Sequence, residues 1–291
     1  GIPLNIFLNW VFIFGNLGMP QLGVKGAAIA SITTQYITLA AILAYALWLP
    51  QTRPIDLMRR FWRPDWPAFR AIFWLGLPVG LTLVAEVGMF VGTNIMMGWF
   101  GTRELAAHGI ALQLASITFM FHLGMSNAGT IRAGQARGRG DPVMLRDAAA
   151  TVIALSVLFG VLTSLWFMLA PGPLVAAYLD PTDPEAPAIL ALATGLMFWA
   201  ALFQLVDALQ VQGLGLLRGV QDTRVPMVLA AISYWVIGLP TAYLLAFPLG
   251  MGPAGLWAGL LVGLSVAAVL MLRRFYGGLA RGDWTRTTHA R

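Results

Sequence analysis

The sequence predicts an all-α, polytopic membrane protein, and three observations predict it. Hydrophobic residues make up 58% of the 291 and charged residues only 10%, against the ~25% charged of a soluble domain. The apolar residues fall in long continuous runs, unlike the short alternating segments of a membrane β-barrel. Mean hydropathy is +0.76; no soluble core hides that much apolar surface, so helices that satisfy their own backbone within lipid are expected.

Eight transmembrane helices are expected, at roughly 2–17, 24–49, 68–99, 104–131, 147–170, 187–217, 225–247 and 254–275, most of them near the ~20 residues that a span needs. Connections are short except for the Arg/Pro-rich stretch Pro50–Pro67 and the Pro/acid stretch Pro171–Pro187. Pro78 and Pro240, each in a Gly-Leu-Pro triplet, lie inside helices, where the missing N–H kinks or breaks the helix. Either a packing kink or a functional hinge fits these positions. Asp222 or Thr223 is expected to cap the seventh helix, with Pro226 in its first turn. The Gly/Arg-rich segment Thr130–Asp141 has neither the spacing nor the Lys-Ser/Thr pair of a phosphate-binding loop and reads as a helix end and turn at the membrane surface.

Charge sorts the loops. Alternate connections and the C-terminus hold sixteen of the 18 Lys and Arg, whereas the opposite loops hold only Lys25 and Arg103 beside Asp180, Asp183 and Glu185. The positive-inside rule puts the Arg-rich side and the C-terminus in the cytoplasm. The pI near 10.3 therefore reads as topology, not as a nucleic-acid surface. With no Cys, disulfides, thiolate nucleophiles and Cys-based zinc sites are excluded.

The chain opens at Gly1 without an initiator Met or a basic leader region. Gly23-Val24-Lys25-Gly26 opens the second helix and Gly252-Pro253-Ala254-Gly255 the last, an offset of 229 residues. Both units have the same expected orientation, which suggests a parallel repeat. On that logic about 160 residues, four more helices, precede Gly1 in a protein of about 450 residues.

The chemistry concentrates in two lone carboxylates. Between Arg70 and Arg103 the only charged residue is Glu86, and between Glu185 and Arg218 the only one is Asp207. An acid at membrane depth costs at least ~2.5 kcal/mol, so it is rarely left there without a task; the bland alternative is a protonated acid bonded to a neighbouring helix. Glu86 shares helical spacing with Thr82, Phe90, Thr93, Asn94 and Met97, and Asp207 with Phe203, Gln204 and Gln210. Oxygen-rich neighbours suit a hard cation such as Na⁺, while an acid withdrawn from water suits proton exchange; both remain open. Phe90, Phe119, Phe198, Trp199 and Phe203, with Met89, Met96 and Met97, offer a greasy pocket for an organic cation through cation–π contact, or else ordinary packing. His108 and His122 share a face of one helix without an acid or Cys, so an interhelical hydrogen bond is expected there in place of a metal site.

The run Gly76-Leu77-Pro78, Ala85-Glu86-Val87, Leu105-Ala106-Ala107-His108 and Arg132-Ala133-Gly134-Gln135 resembles the second half of the multidrug and toxic compound extrusion (MATE) family, near its bacterial NorM-type branch. Phe203 to Gln210, Leu217-Arg218-Gly219 and Asp222 to Pro226 carry the resemblance onward, and Asn5 to Ala30 is similar to the family's fifth and sixth helices. The resemblance reaches to about Tyr276. It implies a twelve-helix exporter of two six-helix lobes in the bacterial inner membrane, working as a monomer and exchanging organic cations for Na⁺ or H⁺, with no other cofactor. Residues 1–50 are then the last two helices of the N-terminal lobe, 51–67 a cytoplasmic linker, 68–276 the C-terminal lobe and 277–291 a cytoplasmic tail. Glu86 and Asp207 match the family's C-lobe acids. His108-Gly109 stands where His-Gln is common and Gln221 where Gly is common. Phe203 stands where some Na⁺-coupled members have Tyr.

The alternative within transport is a lipid-linked oligosaccharide flippase of the same superfamily, which needs several Arg in its cavity. Here all intramembrane charge is expected to be acidic, which favours cationic substrates. An intramembrane protease needs paired acids in its own motifs, which the sequence does not contain, so an enzyme is not expected.

Overall fold

The structure, a computed structural model, describes residues 1–49 and 63–284. All regular structure among them is helical. The chain divides into two compact units, Gly1–Phe69 and Arg70–Arg291. Most of the expected linker 51–67 and the end of the expected tail, 285–291, lie outside the described residues.

The first unit pairs α1 (Ile2–Phe14) with α2 (Val24–Trp48). α1 stops three residues earlier than expected. Gly15 takes the left-handed conformation at φ 73° and bonds the carbonyl of Val11, and a 3₁₀ turn, Asn16–Gly18, follows. A helix of that length rises only ~20 Å, short of the ~30 Å hydrocarbon core. The pair packs closely because Gly26 of α2 lies against the carbonyl of Phe12, where any Cβ would collide.

The second unit holds α3 (Trp66–Gly98), α4 (Thr102–Arg139), α5 (Pro142–Leu169), the short α6 (Pro171–Ala176), α7 (Ala186–Gly219), α8 (Arg224–Ala231), α9 (Leu239–Ala246) and α10 (Pro253–Arg281). A π-helical stretch, Ile232–Gly238, joins α8 to α9, making one span of Arg224–Ala246. Among the described residues seven helices are long and apolar enough to cross a membrane; α1 is the expected span that falls short.

Several boundaries differ from expectation. α4 runs eight residues past 131, through Gly134 and Gly138, and ends at Gly140 in the left-handed conformation (φ 65°). Gly134 is not a breaker here because it lies against the backbone of Gly219, so the packing repays what the missing side chain costs. α5 starts five residues early, since Asp141 Oδ1 accepts from the Met144 N–H as an N-cap. α10 continues to Arg281. Thr223 caps α8 without a side-chain bond, and Asp222 is instead held by Arg274 Nε at 2.5 Å. Pro226 does sit in the first turn of α8.

α10 and α7 form the interior. The most apolar stretch of α10 is 61% buried and that of α7 44%, against 17% for α3. α3 instead turns Val84, Val91 and Ile95 outward, as a lipid-facing helix does.

Candidate functional site

α4 and α7 run parallel along a seam of small residues. Ser126 Oγ donates to the carbonyl of Val211 (2.7 Å) and Thr130 Oγ1 to that of Gly215 (2.8 Å). A Cβ at Gly215 would strike Ser126 and Thr130, so only glycine lets the backbones approach this far, the usual device for helix association in lipid. This seam fixes which face of α7 looks away from α4.

Beside the seam, α3, α4 and α7 enclose a cavity of about 360 Å³, with Leu112, Ser116 and Phe119 on its α4 side. Phe203, Asp207, Val211, Leu214 and Arg218, spaced four, four, three and four residues apart, line it from α7. Leu83, Glu86 and Phe90 line it from α3. Such spacing is one face of a helix. The two acids isolated in the sequence therefore meet in one place, as expected. Asp207 is 3% exposed; Glu86 is half-buried. Each carboxylate lies within electrostatic reach of the other. No hydrogen bond or ion pair among the described residues engages either of them.

Phe90 and Phe203 stand edge to face at 6.0 Å, and Phe203 meets Trp257 likewise at 5.8 Å. Phe119 also lines the cavity. The other proposed wall residues do not: Met89, Met96 and Met97 are buried in the core, Phe198 points outward and Trp199 packs on the core. Met120 is the methionine on the wall. The polar candidates Asn94, Gln204 and Gln210 are also outside the lining. Asn94 Nδ2 bonds back to the carbonyl of Phe90 (3.1 Å). Gln204 Nε2 donates to the carbonyl of Ala115 (3.0 Å) and to Thr118. Gln210 Nε2 donates to the Tyr234 hydroxyl (2.7 Å). His122 has its expected interhelical partner, with Nδ1 3.3 Å from Ser156 Oγ. His108 has none among the described residues and stacks edge-on against Trp257.

Two residues were not foreseen. Arg218, read as a cytoplasmic loop charge, sits in the last turn of α7 and lines the cavity with both acids. Its position held the signal, because eleven residues past Asp207 is three turns and returns to the same face. Tyr234 is fully buried and in electrostatic reach of Glu86, Asp207 and Arg218. It sits in the π-helical stretch before Pro240, which has no N–H for the carbonyl of Val236. In the same stretch Trp235 Nε1 donates to the carbonyl of Ala85 (3.0 Å), tying α3 down next to Glu86.

The MatE family model matches residues 78–244, more than half of the chain and all of this site. The chain belongs to the MatE family. A probable multidrug resistance protein NorM of Rhizobium meliloti is 47% identical over 280 residues, covering 96% of this chain and 60% of that protein. Its counterpart in Agrobacterium fabrum is 45% identical over 274 residues, 94% and 59% of the two chains. Among solved structures, the outward-facing conformation of a multidrug resistance MATE family transporter of the MOP superfamily superposes with a TM-score of 0.82. It is 24% identical and covers 98% of this chain and 61% of its own, which establishes a shared MATE fold. The chain thus spans about three-fifths of the length of these relatives.

Proposed function

We propose that a protein carrying this MatE chain exports organic cations and drugs from the cell in exchange for Na⁺ or H⁺, with Glu86 and Asp207 as the groups that bind the coupling ion and the substrate in turn. The observation that carries this reading is the meeting of two unpaired carboxylates in one cavity with aromatic walls. Two negative charges in a poorly solvated space repel each other, and any cation that enters relieves the repulsion. A proton, a sodium ion and a protonated amine then compete for the same charge, and competition for one site is the minimal basis of exchange. Phe90, Phe119 and Phe203 present ring faces and edges to the body of an organic cation. The names of the relatives as multidrug resistance proteins agree with this. Na⁺ would take oxygen ligands from the two carboxylates and complete its shell with water.

Dye efflux from cells expressing the protein tests the reading. Glu86→Gln and Asp207→Asn should each abolish coupled efflux while the protein still accumulates in the membrane, since neutral amides are cheaper to bury than a charge. Full efflux from either variant sinks the assignment. Orientation has its own test, because the chain has no Cys. A cysteine replacing Thr182 should react with an impermeant maleimide in intact cells, and one replacing Gly138 only after permeabilisation; the reverse pattern would invert the topology.

A further inference from the structure

A second cavity, of about 390 Å³, lies where α4 ends and α5 begins, and the transport reading makes no use of it. Arg132 lines it from α4, and Asp147 lines it from α5 beside Val143, Thr151 and Val152. Arg132 and Asp147 are both exposed, yet they are not paired: no carboxylate among the described residues lies within 4.0 Å of Arg132. The neighbouring charges are engaged. Asp141 Oδ1 accepts from the Met144 N–H, and Arg139 is turned onto Met144 Sδ (3.9 Å). The cleft therefore offers one open cation and one open anion. Opposite charges held apart forgo their mutual attraction, and a ligand carrying both signs supplies a partner to each.

The position of the cleft says what kind of ligand reaches it. Asp147 lies about 33 Å along α5 from Leu169 at ~1.5 Å per residue, just beyond one ~30 Å hydrocarbon thickness. That is headgroup depth. Below Asp147 the same face of α5 carries Thr151, Leu155 and Leu158, all exposed, at the spacing of one helix face. On α4, Ala128 and Phe121 continue from Arg132 on one exposed face. The two helices touch along the back of this groove, where Gly129 lies against Val152, and Phe121 stacks on Phe159 (3.8 Å) farther along. Charged groups of both signs thus stand at the head of an apolar track.

We propose that this cleft binds phosphatidylethanolamine, with the lipid phosphate on Arg132, the ammonium on Asp147 and an acyl chain in the groove between α4 and α5. A guanidinium fork matches two phosphate oxygens, and an ammonium N–H donates to a carboxylate. Phosphatidylcholine keeps the charge but has no N–H to donate. Phosphatidylglycerol has no cation and sets its phosphate against Asp147. The site stands apart from the α3–α4–α7 cavity and requires nothing about transport.

Native mass spectrometry of the purified full chain tests it, with the three lipids supplied in equal amounts and matched acyl chains. The wild type should retain phosphatidylethanolamine about fivefold over phosphatidylcholine, the equivalent of ~1 kcal/mol. Asp147→Asn should bring the two lipids level by lowering phosphatidylethanolamine alone. Arg132→Gln should weaken both, since both carry the phosphate. Arg146→Gln, an exposed arginine next to Asp147 that does not line the cleft, should change neither. All three side chains are exposed, so melting temperatures near the wild type's are expected. A wild type without preference or one that favours phosphatidylglycerol, an Asp147→Asn variant that keeps the preference, or an Arg146→Gln variant as weak as Arg132→Gln overturns the proposal. Glycerophosphoethanolamine, the headgroup without acyl chains, should not displace the lipid at equal concentration; displacement would mean a pocket for a soluble zwitterion and would overturn the lipid assignment.

Discussion

α7 carries polar groups on two faces, and the two are in opposite states. On the cavity face Asp207 and Arg218 are ionisable, and neither has a hydrogen-bond or ion-pair partner among the described residues. Five residues past Asp207, about 140° around the helix, Gln212 is neutral and engaged. Its Nε2 donates to the carbonyl of His122 (2.9 Å) and to Ser156 Oγ (2.6 Å), and Ser156 reaches on to His122 Nδ1. That knot ties α4, α5 and α7 together. A polar residue in an apolar helix thus does one of two jobs. Neutral and paired, it joins helices; ionisable and unpaired beside a cavity, it is free to meet a ligand.

The largest effect expected is a double dissociation between these faces. Asp207→Asn should weaken binding of a cationic dye by about two orders of magnitude, the equivalent of about 2.7 kcal/mol, with a melting temperature near the wild type's. Gln212→Leu should do the reverse. It removes both interhelical bonds made by Gln212 Nε2, at a cost of roughly 1–3 kcal/mol in stability, and leaves dye affinity alone. Anisotropy titrations and tryptophan-fluorescence melts on both variants read the two axes. If each variant moved both, the faces would not be distinct.

A smaller effect is expected where the scaffold aims the cavity. Trp235 holds the carbonyl of Ala85 at the residue before Glu86, and its ring fills the space in front of Gly88. Trp235→Phe keeps most of the ring and loses the N–H, so dye affinity should fall by roughly three- to tenfold, about one hydrogen bond's worth. Stability should change little, because half of the side chain is exposed. A melting temperature that drops while affinity holds would move Trp235 from the cavity's support to the knot's kind of role.

The contrast also explains which residues the sequence makes conspicuous. Long apolar runs identify spans, because lipid enforces one rule on every residue of a spanning helix. A lone acid stands out for the same reason, so Glu86 and Asp207 are legible from the order of residues alone. Neutral polar residues are ambiguous. Asn94, Gln204 and Gln210 share helical spacing with the acids, yet each is spent on a carbonyl or hydroxyl of the bundle, and only the packing of neighbouring helices decides that. Arg218 was hidden by its place near a helix end, where charge sorts as loop. The π-helical stretch that buries Tyr234 depends on Pro240 and on the close approach of Gly238 to Gly263, which no periodicity announces. Gly134 and Gly138 read as breakers until the partner helix that accommodates Gly134 is known.

The smallest effect belongs to Ser156. Its hydroxyl accepts from Gln212 Nε2 and faces His122 Nδ1, so Ser156→Ala removes the middle of the knot but leaves Gln212 bonded to the His122 carbonyl. Interhelical hydrogen bonds in lipid average ~0.6 kcal/mol, because the separated helices also find partners. A loss of about 1 kcal/mol is therefore expected in a melt, at the low end of the range for Gln212→Leu. Affinity for a cationic dye should be unchanged. Thr at this position keeps the hydroxyl and should restore stability unless its added methyl meets the ring of Phe159, which packs on His122. A change in dye affinity on Ser156→Ala would mean that the knot is read by the cavity and that α7 is one coupled polar system instead of two.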